Sequence, residues 1–568
     1  MYQITNDCVG CHNCFYECPK HAINWVGKKY EIDPNRCIEC GHCMKVCHTA
    51  SVINTNAPDD AFPHEPLTFA ADLVVCGSGC GLIAAVKAAQ AGKKVIVLEK
   101  SKKIGGNTDF AHNFFPVYGK WWAQKGWKDV REEAAAYYLS QTDGILDRDV
   151  VHTAVYGAVD FFDWLCEQED VGKVYHLVEL GSVDAHGPIY GQGILDFPNR
   201  YKENLKSCDD AIGPGWGGTF IKHAMLNAIK KQKLDVTILT EHAARHLLLN
   251  ADGRIRGVEA QDPGGTVTIH APCVILATGG FGKSDDLIRE FKPWFFEHED
   301  VPIHRFSVPG DTGDGITMLR ELGVEPDPSR LCVSMFGPKH HPFSNTLADM
   351  ALESEMIQVN LDGQRWVNES VGLHDMTAGI SAQPKGISWA VQSLENLERI
   401  ADHFINHPQF ASKKSIYETW KMDLEEESTL DMPVKKAGSI RELEVLCRMP
   451  DGSLENTIAR YNAFCENGLD EDFGKPAEKL LPIKNGPYYA IYGQRFSEAC
   501  MGGLMVDGAC RVLRNDGTPI PGLYGVGDAT SAMQIDGRLA VISELTWGVA
   551  SAYTSGINAA ALCDQTQC

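Results

Sequence analysis

The sequence predicts a multidomain α/β protein in which a small cysteine-built unit precedes a dinucleotide-binding α/β domain. Three observations carry this. Two cysteine runs share the spacing C-x2-C-x2-C-x3-C, one at Cys8, Cys11, Cys14 and Cys18, the other at Cys37, Cys40, Cys43 and Cys47. A strand, a glycine turn, a helix and a second strand ending in an acid occupy residues 72–99. The chain has 568 residues, whereas single cores stop growing at roughly 250–300 residues.

The cysteine runs come first. A cubane 4Fe–4S cluster needs four thiolates converging on one small volume. Two-residue spacers let one loop wrap around it, and the last cysteine of each run crosses to the other cluster. This assigns Cys8, Cys11, Cys14 and Cys47 to one cluster, and Cys37, Cys40, Cys43 and Cys18 to the other. Pro19 follows Cys18 as the pattern expects, and His48 stands in the matching place after Cys47 without removing a ligand. Zinc and disulfides are the rival readings. Zinc draws its ligands in two pairs, which does not account for two identical runs of four. Residues 1–55 resemble bacterial two-cluster ferredoxins, which makes this segment an electron wire.

Composition bounds the rest. The chain is 44% hydrophobic and 22% charged, with a net charge of −23. That charge argues against nucleic acid and anionic membrane surfaces as partners. The other cysteines are scattered, apart from Cys76 and Cys80, a usage suited to a reducing compartment. No leader precedes Cys8 and no apolar run reaches membrane-spanning length. Residues 544–562 come nearest, but Glu544, Ser551, Thr554, Ser555 and Asn558 make them a packed helix. The expectation is a soluble cytoplasmic protein. Exposed clusters of this kind are oxygen-labile, so an anaerobic host is expected too.

Residues 56–69 read as a proline-bearing linker. A buried strand then runs from Asp72 to Cys76, followed by the turn Gly77-Ser78-Gly79-Cys80-Gly81, an alanine-rich helix and a strand ending at Glu99. Glycines let the backbone approach a pyrophosphate, the helix N-terminus favours its charge, and the acid accepts hydrogen bonds from a ribose. The spacing is one residue shorter than G-x-G-x-x-G, which predicts a tighter phosphate turn. Further on, Val274–Leu276 leads into Thr278-Gly279-Gly280, then come Asp311 and Asp314, then Gly527-Asp528. The stretch 213–218 is glycine-rich but has no strand before it, so it reads as a loop. One dinucleotide fingerprint is present and no second for NAD(P)H, so electrons are expected to arrive singly through the clusters.

This series resembles the flavoprotein family of fumarate reductases, succinate dehydrogenases, soluble flavocytochromes c and 3-ketosteroid dehydrogenases. The likeness runs from about residue 70 to the end. It rests on VVCGSGCG, IGGNT at 104–108, ILATGGFG at 275–282, TGDGI at 312–316, GQRWVNE at 363–369, GPYYAI at 486–491, MGGLMVD at 501–507 and GLYGVGDAT at 522–530. The resemblance implies bound FAD. Gly77, Gly79 and Gly81 would hold its pyrophosphate and Glu99, with Lys100 beside it, its ribose. Gly105, Gly106, Asn107 and Thr108 would run beside the ring, and Gly527 and Asp528 would meet the ribityl chain. Thr278, Gly279, Gly280 and Asp314 complete the implied set. Covalent members carry a histidine at the place of Asn107, so the FAD is expected to be non-covalent. The implied fold is an α/β Rossmann-like FAD-binding domain (70–330 and 485–568) with an inserted α+β capping domain (331–484), plus the small N-terminal α+β ferredoxin-like domain.

The family's dicarboxylate machinery is largely missing. No arginine follows Asn368-Glu369; His374 falls nearest its place. Ala499-Cys500 stands where the family has a histidine, and His340 and His341 follow the place of another. Arg538 matches the arginine that clamps a substrate carboxylate. Losing most cationic donors removes the means of fixing a small dianion. The expected substrate is therefore a small organic molecule with one carboxylate, or a ketone conjugated to C=C, and not fumarate. Phe110, Phe114, Phe115, Tyr118, Trp121, Trp122 and Trp127 crowd one span; they either face an aromatic or polycyclic substrate or pack as core. Tyr488 and Tyr489 are proton-donor candidates, with packing as the alternative. Arg538, His374, Tyr489 and His341 are the catalytic candidates. The expected activity is an ene-reductase fed by an electron-donor protein such as a ferredoxin, a flavodoxin or a flavoprotein reductase. A ketosteroid-type dehydrogenase exporting electrons and an electron-transfer subunit are the alternatives.

Overall fold

A computed structural model describes residues 2–8, 13–16, 18–26, 29–47, 49–55, 64–111, 116–124, 126, 128–140, 145–168, 217–296, 304–305, 307–331, 335–337, 347, 350–371, 376, 379–380, 382–406, 420–428, 434–497, 501–535, 538–539 and 544–566, with four two-residue strands between 176 and 196.

At the N-terminus, strand Tyr2–Ile4 pairs antiparallel with Val52–Asn54, and Ile23–Trp25 with Tyr30–Ile32. Two short helices, Asn13–Tyr16 and His42–Val46, pack on each other. Ile4, Ile23, Tyr30, Val46 and Val52 form a small core with Cys14, Cys43 and Cys47 buried among them. So few apolar side chains make a marginal core, and metal ligation is the usual remedy.

The flavin domain is built on a six-stranded sheet. In chain order its strands are β1 (Leu73–Cys76), β2 (Val95–Glu99), β3 (Val236–Thr240), β4 (Cys273–Leu276), β5 (Arg511–Leu513) and β6 (Pro519–Gly525). In space they run β3-β2-β1-β4-β6-β5. Every pair is parallel except β5 with β6. β1, β2 and β4 are buried at every residue, as strands covered on both faces must be. Helix α1 (Gly81–Gln90) follows β1, and α2 (Arg148–Gln168) and α3 (Glu544–Thr566) pack with it through the apolar residues beneath the sheet. The strand order reverses between β1 and β4, which opens a crevice at their C-terminal ends.

A second sheet packs beside this one: Ala243–Leu249, Ile255–Gln261 and Thr266–His270 form a meander, and Leu67–Ala70 joins it in parallel. The expected linker thus ends as a strand. Its backbone is taken up by pairing, although all four side chains are exposed.

The third sheet is built largely from residues in and beside the expected cap. Its central strand, Tyr488–Ser497, pairs antiparallel with Ile387–Ser393, Val434–Ala437 and Met335–Gly337, and parallel with His304–Arg305. Residues 488–497 complete this sheet, and the chain rejoins the flavin sheet at Arg511. Apolar side chains from the helices Ile440–Leu446 and Ser453–Asn467 fill one core against this sheet. The GQRWVNE segment supplies a buried ionic knot. Arg365 donates to Glu369 at 3.0 and 2.8 Å and to Asp470 at 3.2 and 3.0 Å, while Lys475 Nζ lies 3.2 Å from Glu369.

Candidate cofactor cleft and redox module

The crevice beyond β1 and β4 is a cleft of about 1110 Å3. Of the residues expected at a cofactor, Gly77, Gly79, Glu99, Lys100, Gly106, Asn107, Thr108, Thr278, Gly279, Asp314, Gly527 and Asp528 line it. The remaining three serve the walls. A Cβ on Gly81 would meet Val75 and Ala277 side chains at 2.8 and 2.9 Å, so Gly81 sets the approach of α1 to the sheet. Beginning the helix at Gly81 also absorbs the short glycine spacing. A Cβ on Gly105 would run into the Asp109 carboxylate at 2.4 Å. Gly280 accepts from Gly313 N at 2.9 Å, which ties the two glycine loops together.

The glycine turn is shaped for close backbone approach. Gly77 has φ +111°, and a Cβ there would lie 2.0 Å from the Ala277 carbonyl. No other residue fits. Glu99 closes one side, its carboxylate accepting from Ser78 N and Oγ at 3.2 and 2.6 Å and from Ser101 N at 2.8 Å. Lys100 Nζ donates to Thr312 Oγ1 at 2.7 Å and Asp314 Oδ2 at 2.8 Å. Asn107 Oδ1 accepts from Val308 N at 2.8 Å. Thr278 Oγ1 is buried with no hydrogen-bond partner among the described residues. A buried hydroxyl left so is costly unless a ligand meets it. The glycine cradle, the acid at the end of β2, the N-terminus of α1 and this hydroxyl together fit FAD.

Two carboxyls face this cleft, Asp311 buried and Asp528 half-buried. Burial, reinforced by the charge of Asp311, pushes Asp528 up to about 7. Asp311 is itself raised by burial, and its Oδ2 accepts from Gly282 N at 3.0 Å. Asp311 and Ser78 carry more of the site than the sequence reading gave them.

The cysteine module reaches the same cleft. Thr49 and Ala50 form part of its wall. Lys103, just before the IGGNT loop, donates to the carbonyls of Met44 at 2.6 Å, Cys47 at 2.5 Å and Lys45 at 3.3 Å. Within the module, Cys18, Cys37, Cys40 and Cys43 line one recess of about 340 Å3. Burial raises Cys43 to about 11, and the neighbouring Cys37, Cys40 and Cys18 add to the rise. These four are the crossed ligand set expected from the sequence. Backbone N–H groups of Ala22 and Glu39 point at Cys18 and Cys37 sulfurs at 3.3 and 3.4 Å, as at anionic cluster sulfurs. Among the described residues no three ligating side chains close on a single-ion site, and a cubane holds its thiolates farther apart than one ion does. The donor set therefore fits a cluster.

The catalytic candidates fare differently. His374 and His341 lie outside the described residues, as do Cys11, Cys500, Phe114, Phe115 and Trp127. Arg538 sits in a hairpin, paired through its backbone with Ile535. Tyr489 is not brought to the cleft. It is buried in the cap core, its hydroxyl donates to Glu425 at 2.9 Å, and Lys436 lies over its ring. Tyr488 donates to the Lys484 carbonyl at 2.9 Å. Trp121, Trp122 and Tyr118 pack into the core beneath the sheet, with Trp122 against Phe162, so these three take the packing alternative.

Residues 72–540 match the family model of the FAD binding domain, and residues 7–51 that of the 4Fe-4S dicluster domain. The chain is 26% identical over 522 residues to a urocanate reductase of Eggerthella lenta, covering 89% of this chain and 77% of that protein. It is 26% identical over 492 residues to a vinyl phenol reductase of Lactiplantibacillus plantarum, covering 82% of this chain and 91% of that one. Among solved structures, the open conformation of a flavocytochrome c3 fumarate reductase superposes with a TM-score of 0.62 at 21% identity, covering 87% of this chain and 79% of that one.

Proposed function

This chain belongs to the FAD binding domain family, with a 4Fe-4S dicluster domain ahead of it, and from that premise we propose an ene-reductase that reduces an activated C=C bond of a substrate other than a dicarboxylate. The chain binds FAD and two 4Fe–4S clusters. When bound, FAD supplies hydride from N5 and the clusters supply single electrons. The observation that carries the reading is the seating of the cysteine module on the flavin cleft, with Thr49 and Ala50 in its wall. It gives electrons a way in where no second nucleotide fingerprint provides one.

The chain's own residues do the rest. The glycine turn and the N-terminus of α1 hold the pyrophosphate, and Glu99 holds the ribose. The cap excludes water from the reacting face. Arg538 polarises the substrate's carboxylate or carbonyl, and His374 from the cap protonates the carbon next to the one receiving hydride. His341 is the second candidate donor. The sequence offers few cations for a dianion, in keeping with relatives named for urocanate and vinyl phenol. Electrons come from a low-potential donor protein, a ferredoxin, flavodoxin or flavoprotein reductase. The scattered cysteines outside the two runs suit a cytoplasmic setting. No described helix is long and apolar enough to cross a membrane.

The test is anaerobic. Reduced enzyme is mixed with arylacrylates, vinyl phenols, conjugated enones and fumarate, and flavin absorbance is followed. Reoxidation by a mono-anionic or neutral acceptor, with fumarate inert, is expected. Inertness towards every acceptor would overturn the proposal, as would fumarate being the fastest.

A further inference from the structure

The two cysteine sets stand differently towards the flavin cleft. We propose that they act in a fixed order: Cys8, Cys11, Cys14 and Cys47 hold the inner relay, clamped against the flavin loop by Lys103, and Cys18, Cys37, Cys40 and Cys43 hold the outer relay that meets the donor. This rests on reading the chain as a cluster-fed flavoenzyme.

Two observations separate the sets. Lys103 closes the carbonyl end of the helix His42–Val46, donating to Met44 and Cys47, and so ties the backbone of one inner ligand to the residue preceding the flavin loop. Thr49 and Ala50, which follow Cys47 closely in sequence, wall the cleft with Gly77 and Asn107. One inner ligand, Cys47, is thus held against the flavin domain.

The outer set looks away. Its recess is lined by residues of the N-terminal module alone, from Tyr2 to Cys43. Cys40 is exposed and the neighbouring Ile38 is 56% exposed. Tunnelling between redox centres falls steeply with distance, so the set beside the flavin loop passes electrons on and the set at the surface receives them. Each electron from the external one-electron donor enters at the outer set, moves to the inner set and leaves for the flavin, returning each relay to its oxidised state. Two passages supply the pair that hydride transfer consumes. Lys103 is a positioning residue here: it holds the inner set in place, and its charge favours the reduced, more negative relay.

The experiment is a dithionite titration followed by electron paramagnetic resonance on the full chain, which needs no substrate and so stands or falls apart from ene-reduction. Cys14→Ser and Cys40→Ser identify the inner and outer signals. Lys103→Met is expected to shift the inner midpoint to lower potential, leave the outer one in place, and slow cluster-to-flavin transfer at least ten-fold in stopped flow. Lys103→Arg restores the potential, and Lys102→Met, at an exposed lysine paired with Glu241, changes neither. Lys103→Gln replaces Lys103→Met where the latter loses iron. With Cys40→Ser, a reduced ferredoxin no longer reduces the flavin while dithionite does. A shift on the signal that Cys40→Ser abolishes, equal shifts on both, or no shift would overturn the order.

Discussion

Asp528 is a half-buried acid whose hold on its proton the fold strengthens. Its carboxyl stands at about 7 because burial and the Asp311 charge disfavour ionisation; in an unfolded chain it titrates near 3.8. Between those values the folded protein holds a proton that the unfolded chain has released. Stability from this group is therefore greatest below the unfolded value and is lost as pH rises through about 7, at up to about 1.4 kcal/mol per pH unit. In flavin-free protein, Asp528→Asn should melt ever higher relative to wild type between pH 5 and pH 8; a gap that does not change with pH would refute this. Gly77 permits a second prediction. With φ +111° and the Ala277 carbonyl 2.0 Å from the Cβ position, Gly77→Ala must push β1 from β4. The variant should purify folded but bind FAD at least about ten-fold more weakly, read by flavin fluorescence on dilution. Such residues were legible because their chemistry is local: a glycine turn and an acid at the end of β2. Lys103 was not, since its partners are main-chain carbonyls of another domain and leave no mark in sequence. Asp311 was half legible, being visible beside Asp314 but without its burial.

The elements show the same division between local and distant causes. β1, α1 and β2 follow each other within residues 73–99, and both their periodicity and their punctuation could be read directly. The cap could not. Its central strand, Tyr488–Ser497, carries a family motif that suggested a return to the flavin domain, yet it pairs with strands up to a hundred or more residues earlier. Register across such distances is set by tertiary packing, which is why Tyr489 was taken for a proton donor and proves to be cap core. The GQRWVNE segment was legible as a family motif, and the structure makes it a scaffold. Arg365, Glu369, Asp470 and Lys475 are buried together. Removing one member leaves uncompensated charge inside the cap, at a cost of about 3–5 kcal/mol. Arg365→Ala should therefore make the cap the first region to open in limited proteolysis, while flavin content stays at the wild-type level. Loss of flavin before cap cleavage would show instead that the knot supports the flavin domain.

At the scale of the whole molecule the question is which parts the chemistry needs and which only its supply. The flavin cleft draws its glycine turn, Glu99, Asp314 and Asp528 from one domain, and only Thr49 and Ala50 from the cysteine module. Hydride transfer and protonation therefore use groups that the clusters do not provide, whereas electron arrival depends on the module. Stripping the iron anaerobically separates the two. The small module, whose core is a handful of apolar residues and thiols, should lose its fold with the metal, while the parallel sheet of the flavin domain keeps its own core. The stripped protein is expected to retain FAD, to be reduced by a small viologen able to enter the cleft, and to be reoxidised by the same alkene acceptors at a rate within about two-fold of the intact enzyme, because the transition state is stabilised by groups left in place. Reduction by a ferredoxin or flavodoxin should fall to background. If alkene reoxidation also collapses while FAD stays bound, the module shapes the substrate site as well as supplying it. Thr49→Gly and Ala50→Gly in the iron-loaded enzyme would then reproduce the loss without touching the clusters.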